Sequence, residues 1–277
     1  MKNVKTMLVL ATAMMAATAC SPKKEAAATD NEEAKLVLFY SQTSNTKTVA
    51  REIATRLGAD IEEIIPLKPY EGDLQATVER CRQEREEGIT PEIQPLTSDL
   101  SQYDVIFLGY PVWFGTYAPP VAALLDQVDL SGKKIVPFCT FGSGGLVSST
   151  KDLAGKEPGA EILPGYGVRA ARLEAVPYEV DQWLKRLGFL EGEYTKLDEF
   201  PEQHPMSDEE AAVFDAAVDG YPMLHAKAET VASRAIPDGV EYLFVAEDTG
   251  ETASQTRIQV YVTVKTGEAP VFTQVVR

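Results

Sequence analysis

Between residues 35 and 188 the chain alternates short apolar runs with stretches whose apolar residues recur at helical spacing. Residues 35–40 (KLVLFY) form a predicted strand that runs straight into a Ser/Thr/Asn-rich loop. After it, Val49, Ala50, Ile53, Ala54 and Leu57 share one helical face, and Gly58 sits where a C-terminal cap belongs. Residues 61–65 are a predicted second strand and residues 75–87 a strongly charged, exposed helix. Residues 104–109 (DVIFLG) and 134–139 (KIVPFC) are nearly continuous apolar runs, as in parallel strands covered by helices on both faces. Pro119 and Pro120 suit the first turn of a helix ending near Asp126. Val180, Trp183, Leu184 and Leu187 mark a last helix, closed by Gly188. This alternation predicts an α/β fold with a doubly wound parallel sheet over residues 35–192.

The pattern then changes. Ser207 and Glu210 stand at capping-box spacing ahead of a helix that uses Val213, Phe214, Ala217 and Val218. Period-two segments follow, with Val240, Tyr242, Phe244 and Ala246 on one face, then Ile258, Val260, Val262 and Val264. Gly250 and Gly267 supply turn chemistry, and residues 270–276 close the chain. A helix followed by an antiparallel meander predicts a separate, small α+β domain over residues 200–277.

At the other end, Lys2 and Lys5 precede an apolar run over residues 7–17, far short of the roughly 20 residues that span a bilayer. The run ends in Ala17-Thr18-Ala19-Cys20, which reads as an export signal over residues 1–19 with a processing site. Cys20 resembles the lipidated cysteine of a bacterial lipoprotein. The expected location is therefore the bacterial cell envelope, with the membrane touched through a lipid anchor only. The alternative is an ordinary signal peptide in which the cysteine is incidental. Residues 20–34 read as a flexible tether, since residues 21–33 include no large apolar side chain. Cys81 and Cys139 remain; a disulfide between them is possible in an exported protein, but their spacing does not demand one.

Composition narrows the function classes. Apolar residues make up 44% and charged residues 25%, which excludes gross disorder and multi-span membrane architecture. The net charge is −16, and loss of residues 1–19, with two lysines and no acid, makes it −18. Such a surface repels phosphate backbones, so no nucleic-acid partner is expected. Two histidines and three cysteines argue against a Cys/His metal cluster. His204 and His225 are isolated and read as structural or solvated.

Candidate chemistry lies in three loops at predicted strand ends, where open parallel sheets bind ligands. Residues 41–46 (SQTSNT) put hydroxyls and an amide ahead of a helix N-terminus, whose free N–H groups and dipole favour an anion. They lack the lysine of a triphosphate-binding loop and suit one phosphate monoester; a solvated helix cap is the alternative. Residues 110–120 (YPVWFGTYAPP) carry adjacent Trp113 and Phe114, which suit a flat aromatic ligand, and Gly115, which lets backbone approach it. A hydrophobic plug over the sheet edge would explain them too. Residues 140–145 (TFGSGG) offer glycine backbone and the Phe141 ring but miss the G-x-G-x-x-G spacing; by themselves they read as a glycine-rich turn.

With FYSQTSNTKTVA, GYPVWFGTYAPPV and IVPFCTFGSGG in this order, the chain resembles the flavodoxin family over roughly residues 35–190. The resemblance implies a flavodoxin-like five-stranded parallel sheet and non-covalent FMN. It implies Ser41, Thr43, Ser44, Asn45 and Thr46 as the phosphate loop. Pro111, Val112, Trp113, Phe114 and Gly115 become the first isoalloxazine loop, and Thr140, Phe141, Gly142 and Gly145 the second. Ser44 departs from the glycine many members carry, and a positive φ there would strain serine. The flavin carries the redox chemistry, so neither a catalytic side chain nor a metal is expected in the protein. The function implied is a membrane-tethered, FMN-dependent electron-transfer protein or small flavin reductase. It would exchange electrons with a redox partner protein or a small acceptor. An acidic body should lower the flavin potential. From a different class comes a non-catalytic adaptor whose flavodoxin-like body has lost FMN and acts through the C-terminal domain.

Overall fold

Strand β1 (Lys35–Phe39) pairs in parallel with β2 (Asp60–Glu63) on one side and β3 (Val105–Trp113) on the other. β3 folds back on the two-residue β4 (Thr116–Tyr117) and pairs in parallel with β5 (Lys134–Phe141). Beyond β5 lie two short parallel strands, β6 (Glu161–Ile162) and β7 (Tyr166–Arg169), each paired with β5. The order β2-β1-β3-β5, with β6 and β7 sharing the last position, is the doubly wound flavodoxin-like order. Its ligand crevice falls where strand order reverses, between β1 and β3.

These relations come from a computed structural model that describes residues 33–219, 221, 224–250 and 257–277. The expected signal, the lipidation of Cys20 and the tether up to residue 32 lie outside the described residues. Among the described residues no helix is long and apolar enough to cross a membrane.

The apolar runs divide by parity. Leu36, Leu38, Ile106, Leu108 and Ile135 face one side, with Val121 and Leu124 of α3 (Pro119–Leu125) and Leu153 of α4 (Leu146–Lys156). Val37, Phe39, Phe107 and Phe138 face the other, with Val49 and Ile53 of α1 (Asn45–Leu57) and Val180 and Trp183 of α5 (Val176–Arg186). Gly58 caps α1 in the left-handed region, its N–H donating to the Ala54 carbonyl.

Three elements differ from the sequence pattern. The second strand ends at Glu63, with Ile64 continuing through one N–H to the Phe39 carbonyl at 2.7 Å. Residues 110–113, expected in a loop, extend β3 because β5 pairs with Tyr110 and Pro111 and the β4 hairpin with Val112 and Trp113. Helix α2 (Leu74–Glu87) is not simply exposed: Thr77, Cys81 and Glu84 are buried along one stripe. That stripe is polar or small, so hydrophobic periodicity misses it. Cys81 and Cys139 are both buried and free, so the possible disulfide does not form.

The C-terminal region forms a second sheet. Helix α6 (Asp208–Val218) starts on the full capping box of Ser207 and Glu210. Five antiparallel strands follow the order β12-β11-β10-β9-β8. They are β8 (His204–Pro205), β9 (Ala226–Ile236), β10 (Gly239–Asp248), β11 (Arg257–Lys265) and β12 (Val271–Val276). Phe214 of α6 packs on Phe244, Ala246, Ile258, Val260 and Val262 from one face of that sheet. Residues 33–277 make up a single compact unit, so the two sheets share contacts.

Candidate functional site

β1 delivers residues 41–46 to the carboxyl edge of the sheet. Ser44 is the N-cap of α1 at φ 67°, ψ −1°, so the left-handed strain expected of a serine there is present. Its side chain makes no capping bond, and the first turn of α1 carries no acidic residue. Ser41 Oγ accepts the Lys47 N–H at 3.2 Å, while the Lys47 ammonium is held by Glu63 at 2.6 Å. Hydroxyls and first-turn amides are therefore what this loop offers an anion. Thr43 and Ser44 are exposed and Asn45 is half-buried. Thr46 is buried, its Oγ1 2.9 Å from Thr140 Oγ1. That hydroxyl pair ties the first loop to the third.

The second loop is a two-residue hairpin turn. Trp113 pairs with Thr116 across Phe114 (φ 52°) and Gly115 (φ 82°). Consecutive positive φ values define a turn that favours Asn-Gly, so a phenylalanine there costs strain. The turn holds the Phe114 ring outward, under the Arg85 guanidinium at 4.9 Å from its centroid. Trp113 instead leans inward. Its ring meets Tyr40 at 5.8 Å and Tyr70 at 5.0 Å, edge-on to both. Burial raises both phenols above the ordinary tyrosine range; at Tyr70, donation of its hydroxyl to Glu84 at 2.5 Å adds to the rise. That Tyr70–Glu84 bond fastens α2 to the aromatic box, and Glu84 also accepts from Arg80 Nε, one turn earlier on the same helix, at 2.8 Å.

The third loop closes against the second. Gly145 caps α4 at φ 119°, and an added Cβ would lie 2.5 Å from Val112 Cγ1. Ser148 Oγ donates to the Gly115 carbonyl at 2.5 Å. Pro111 sits opposite Thr140 in the β3–β5 ladder, and Thr140 and Phe141 are buried.

In front of these loops opens a cleft of ≈ 1410 Å³. Val112, Trp113, Phe114, Gly115, Gly142 and Gly145 line it. Residues 41–46, Pro111, Thr140 and Phe141 are not among its lining residues. Tyr40, Tyr70, Arg85 and Ser148 escaped sequence reasoning. Only Tyr40, directly ahead of the first loop, had a positional signal.

The family model for flavodoxin matches residues 34–187, more than half of the chain. The chain belongs to the flavodoxin family. Among solved structures it is similar to the flavoprotein of Lactobacillus acidophilus NCFM in complex with FMN. That similarity has 24% identity, covers 55% of this chain and 98% of that one, and has a TM-score of 0.47. A Bacteroides uniformis ATCC 8492 protein is similar at 25% identity, over 54% of this chain and 98% of its own, with a TM-score of 0.49. Oxidised flavodoxin 2 of Bacillus cereus is similar at 20% identity over 55% and 99%, with a TM-score of 0.36. No curated protein matches the chain. The family match ends at residue 187 and leaves the second sheet outside it.

The residues of this flavodoxin-family site fit FMN. Hydroxyls and an acid-free helix N-terminus suit its phosphate, and Trp113 and Phe114 offer ring faces. At Gly115 an added Cβ would meet only Ser148 Oγ, at 3.9 Å, so backbone lies open to a ring. Among the described residues no group of three or more His, Cys, Asp or Glu could hold a metal ion.

Proposed function

We propose that this flavodoxin-family chain binds FMN non-covalently and works as an electron-transfer protein or small flavin reductase. The observation that carries the reading is the pairwise closure of the three loops. Thr46 meets Thr140 at 2.9 Å, and Ser148 bonds the Gly115 carbonyl at 2.5 Å. Loops with separate structural jobs would not need to be tied to one another.

Bound FMN supplies the one- and two-electron chemistry. The chain binds and orients it. Residues 41–46 take the phosphate, the Trp113–Gly115 turn takes the ring, and the 142–145 backbone lies along the ring edge. The net charge of −16, or −18 without residues 1–19, opposes negative charge on the reduced ring. A midpoint potential below that of free FMN follows. A lipid on Cys20 would hold the protein at a bacterial envelope membrane, facing a redox partner protein or a small acceptor.

The test is purification of the chain and titration of FMN into stripped protein. The expected result is a yellow protein that binds one FMN per chain. A colourless protein that FMN fails to reconstitute overturns the reading and leaves the adaptor function. Metabolic labelling with a fatty-acid analogue, lost in Cys20→Ser, tests the anchor.

A further inference from the structure

The last strand of the second sheet reaches the third loop of the flavin site. Val275 of β12 forms a parallel bridge with Gly144, and its N–H donates to the Ser143 carbonyl at 2.6 Å. Arg169, at the end of β7, fastens the same junction. Its Nε donates to the Gly142 carbonyl at 2.8 Å and its Nη1 to the Phe272 carbonyl at 2.6 Å. Its guanidinium carbon lies 4.2 Å from the Phe272 ring centroid. The approach needs glycine: a Cβ on Gly144 would stand 2.0 Å from the Val275 oxygen. The C-terminal region is thus one wall of the cleft, with Gln274 on β12 and His225 and Thr249 flanking β9 and β10.

The cleft has more room than one small molecule takes up. Its volume of ≈ 1410 Å³ exceeds the roughly 300–1,000 Å³ of a pocket built for one small molecule. Phe114, Leu74 and Val147, which line it, are 47%, 79% and 57% exposed. Large apolar side chains left this open within one cleft mark a binding surface. On the C-terminal wall Arg277 pairs with Asp248 at 3.4 Å, so charge there is largely neutralised.

We infer that this cleft holds, beside the flavin ring, a second subsite half-built by the C-terminal sheet, which takes a small, flat, mainly apolar molecule. The inference rests on the FMN reading and narrows it from carrier or reductase towards a small-molecule acceptor. A wall across the ring loops restricts the open surface on which a protein acceptor would dock.

The experiment uses the chain loaded with oxidised FMN and 1,4-naphthoquinone as the probe. Probe binding is followed by the flavin absorption spectrum, and FMN affinity is measured separately. Gln274→Trp narrows the cleft from the C-terminal wall, at a residue that is not itself assigned to FMN. Probe affinity is expected to fall by about tenfold or more while FMN affinity stays within about twofold. Thr249→Trp, on the same wall, serves if Gln274→Trp does not fold. Gly144→Ala should push β12 away, speed hydrogen exchange over residues 272–276 and weaken the probe. FMN-loaded protein that ignores the probe, or binds it equally in wild type and variants, overturns the subsite. A chain that takes up no FMN overturns the proposed function and the subsite with it, and the FMN titration tells these failures apart.

Discussion

Along β3, Val105, Ile106, Phe107 and Leu108 are all fully buried, whichever face they point to. Along β11, Ile258, Val260 and Val262 are buried while Arg257 and Gln259 are exposed. The first strand lies between helices on both sides, and the second has α6 on one. A strand covered on both faces has no free side chain for a ligand until it ends. Chemistry is therefore displaced to the carboxyl edge, where residues 41–46, 113–115 and 142–145 gather. The outermost strand of either sheet keeps an open edge, whose unpaired N–H and C=O groups seek partners. β12 is such an edge, and its Val275 N–H finds the Ser143 carbonyl. One sheet makes the site at its end; the other reaches the site with its side.

The largest expected effect tests whether these sheets stand or fall together. Phe107→Ala removes a fully buried ring set against Trp183 at 6.0 Å and Phe189 at 5.1 Å. It should cost about 3–5 kcal/mol in denaturant unfolding. Phe244→Ala, in the second core, should cost a similar amount. Both tryptophans, Trp113 and Trp183, belong to the first region. The Gly144–Val275 junction predicts that Phe244→Ala lowers the tryptophan midpoint as well as the circular-dichroism midpoint. An unmoved tryptophan transition would mean that the regions melt independently.

Next comes Trp113→Ala. Loss of a stacking face is expected to weaken FMN by about 1–3 kcal/mol, with dissociation constants rising roughly 5–150-fold. An unchanged constant would shift the ring platform to Phe114. Ser44→Gly should raise stability by about 1 kcal/mol, because glycine adopts a φ of 67° without the serine Cβ penalty. A lowered Tm would show that the Ser44 hydroxyl matters more than its strain.

The smallest effect lies in α6. Ser207→Ala should cost about 0.5–1 kcal/mol by removing the cap. The Ser207 backbone N–H and then its hydroxyl hold the Glu210 carboxyl below the ordinary glutamate range. That contribution is fully present above the unfolded pKa and is lost as pH falls through the depressed folded value. Acid titration of stability should therefore be shallower in Glu210→Gln than in wild type.

Local patterns carried much of the fold. The parity of residues 36–39 and 105–108, the Gly58 cap and the Ser207–Glu210 box are readable from neighbours a few positions apart. Elements whose cores are small or polar were hidden. α2 buries Thr77, Cys81 and Glu84, and β9 is rich in alanine and polar residues. The last parallel position is split into β6 and β7 around Pro164 and Gly165, each piece too short to show a period.

By itself the sequence determined the alternation that makes a doubly wound sheet and the donors and rings of three strand-end loops. Those properties depend on spacing along the chain. The tertiary structure decided that Trp113 leans on Tyr40 and Tyr70 while Phe114 stays out. It also decided that β12 walls the cleft. These outcomes join residues far apart in sequence, as Arg169 and Phe272 are, and no local period encodes a contact between them.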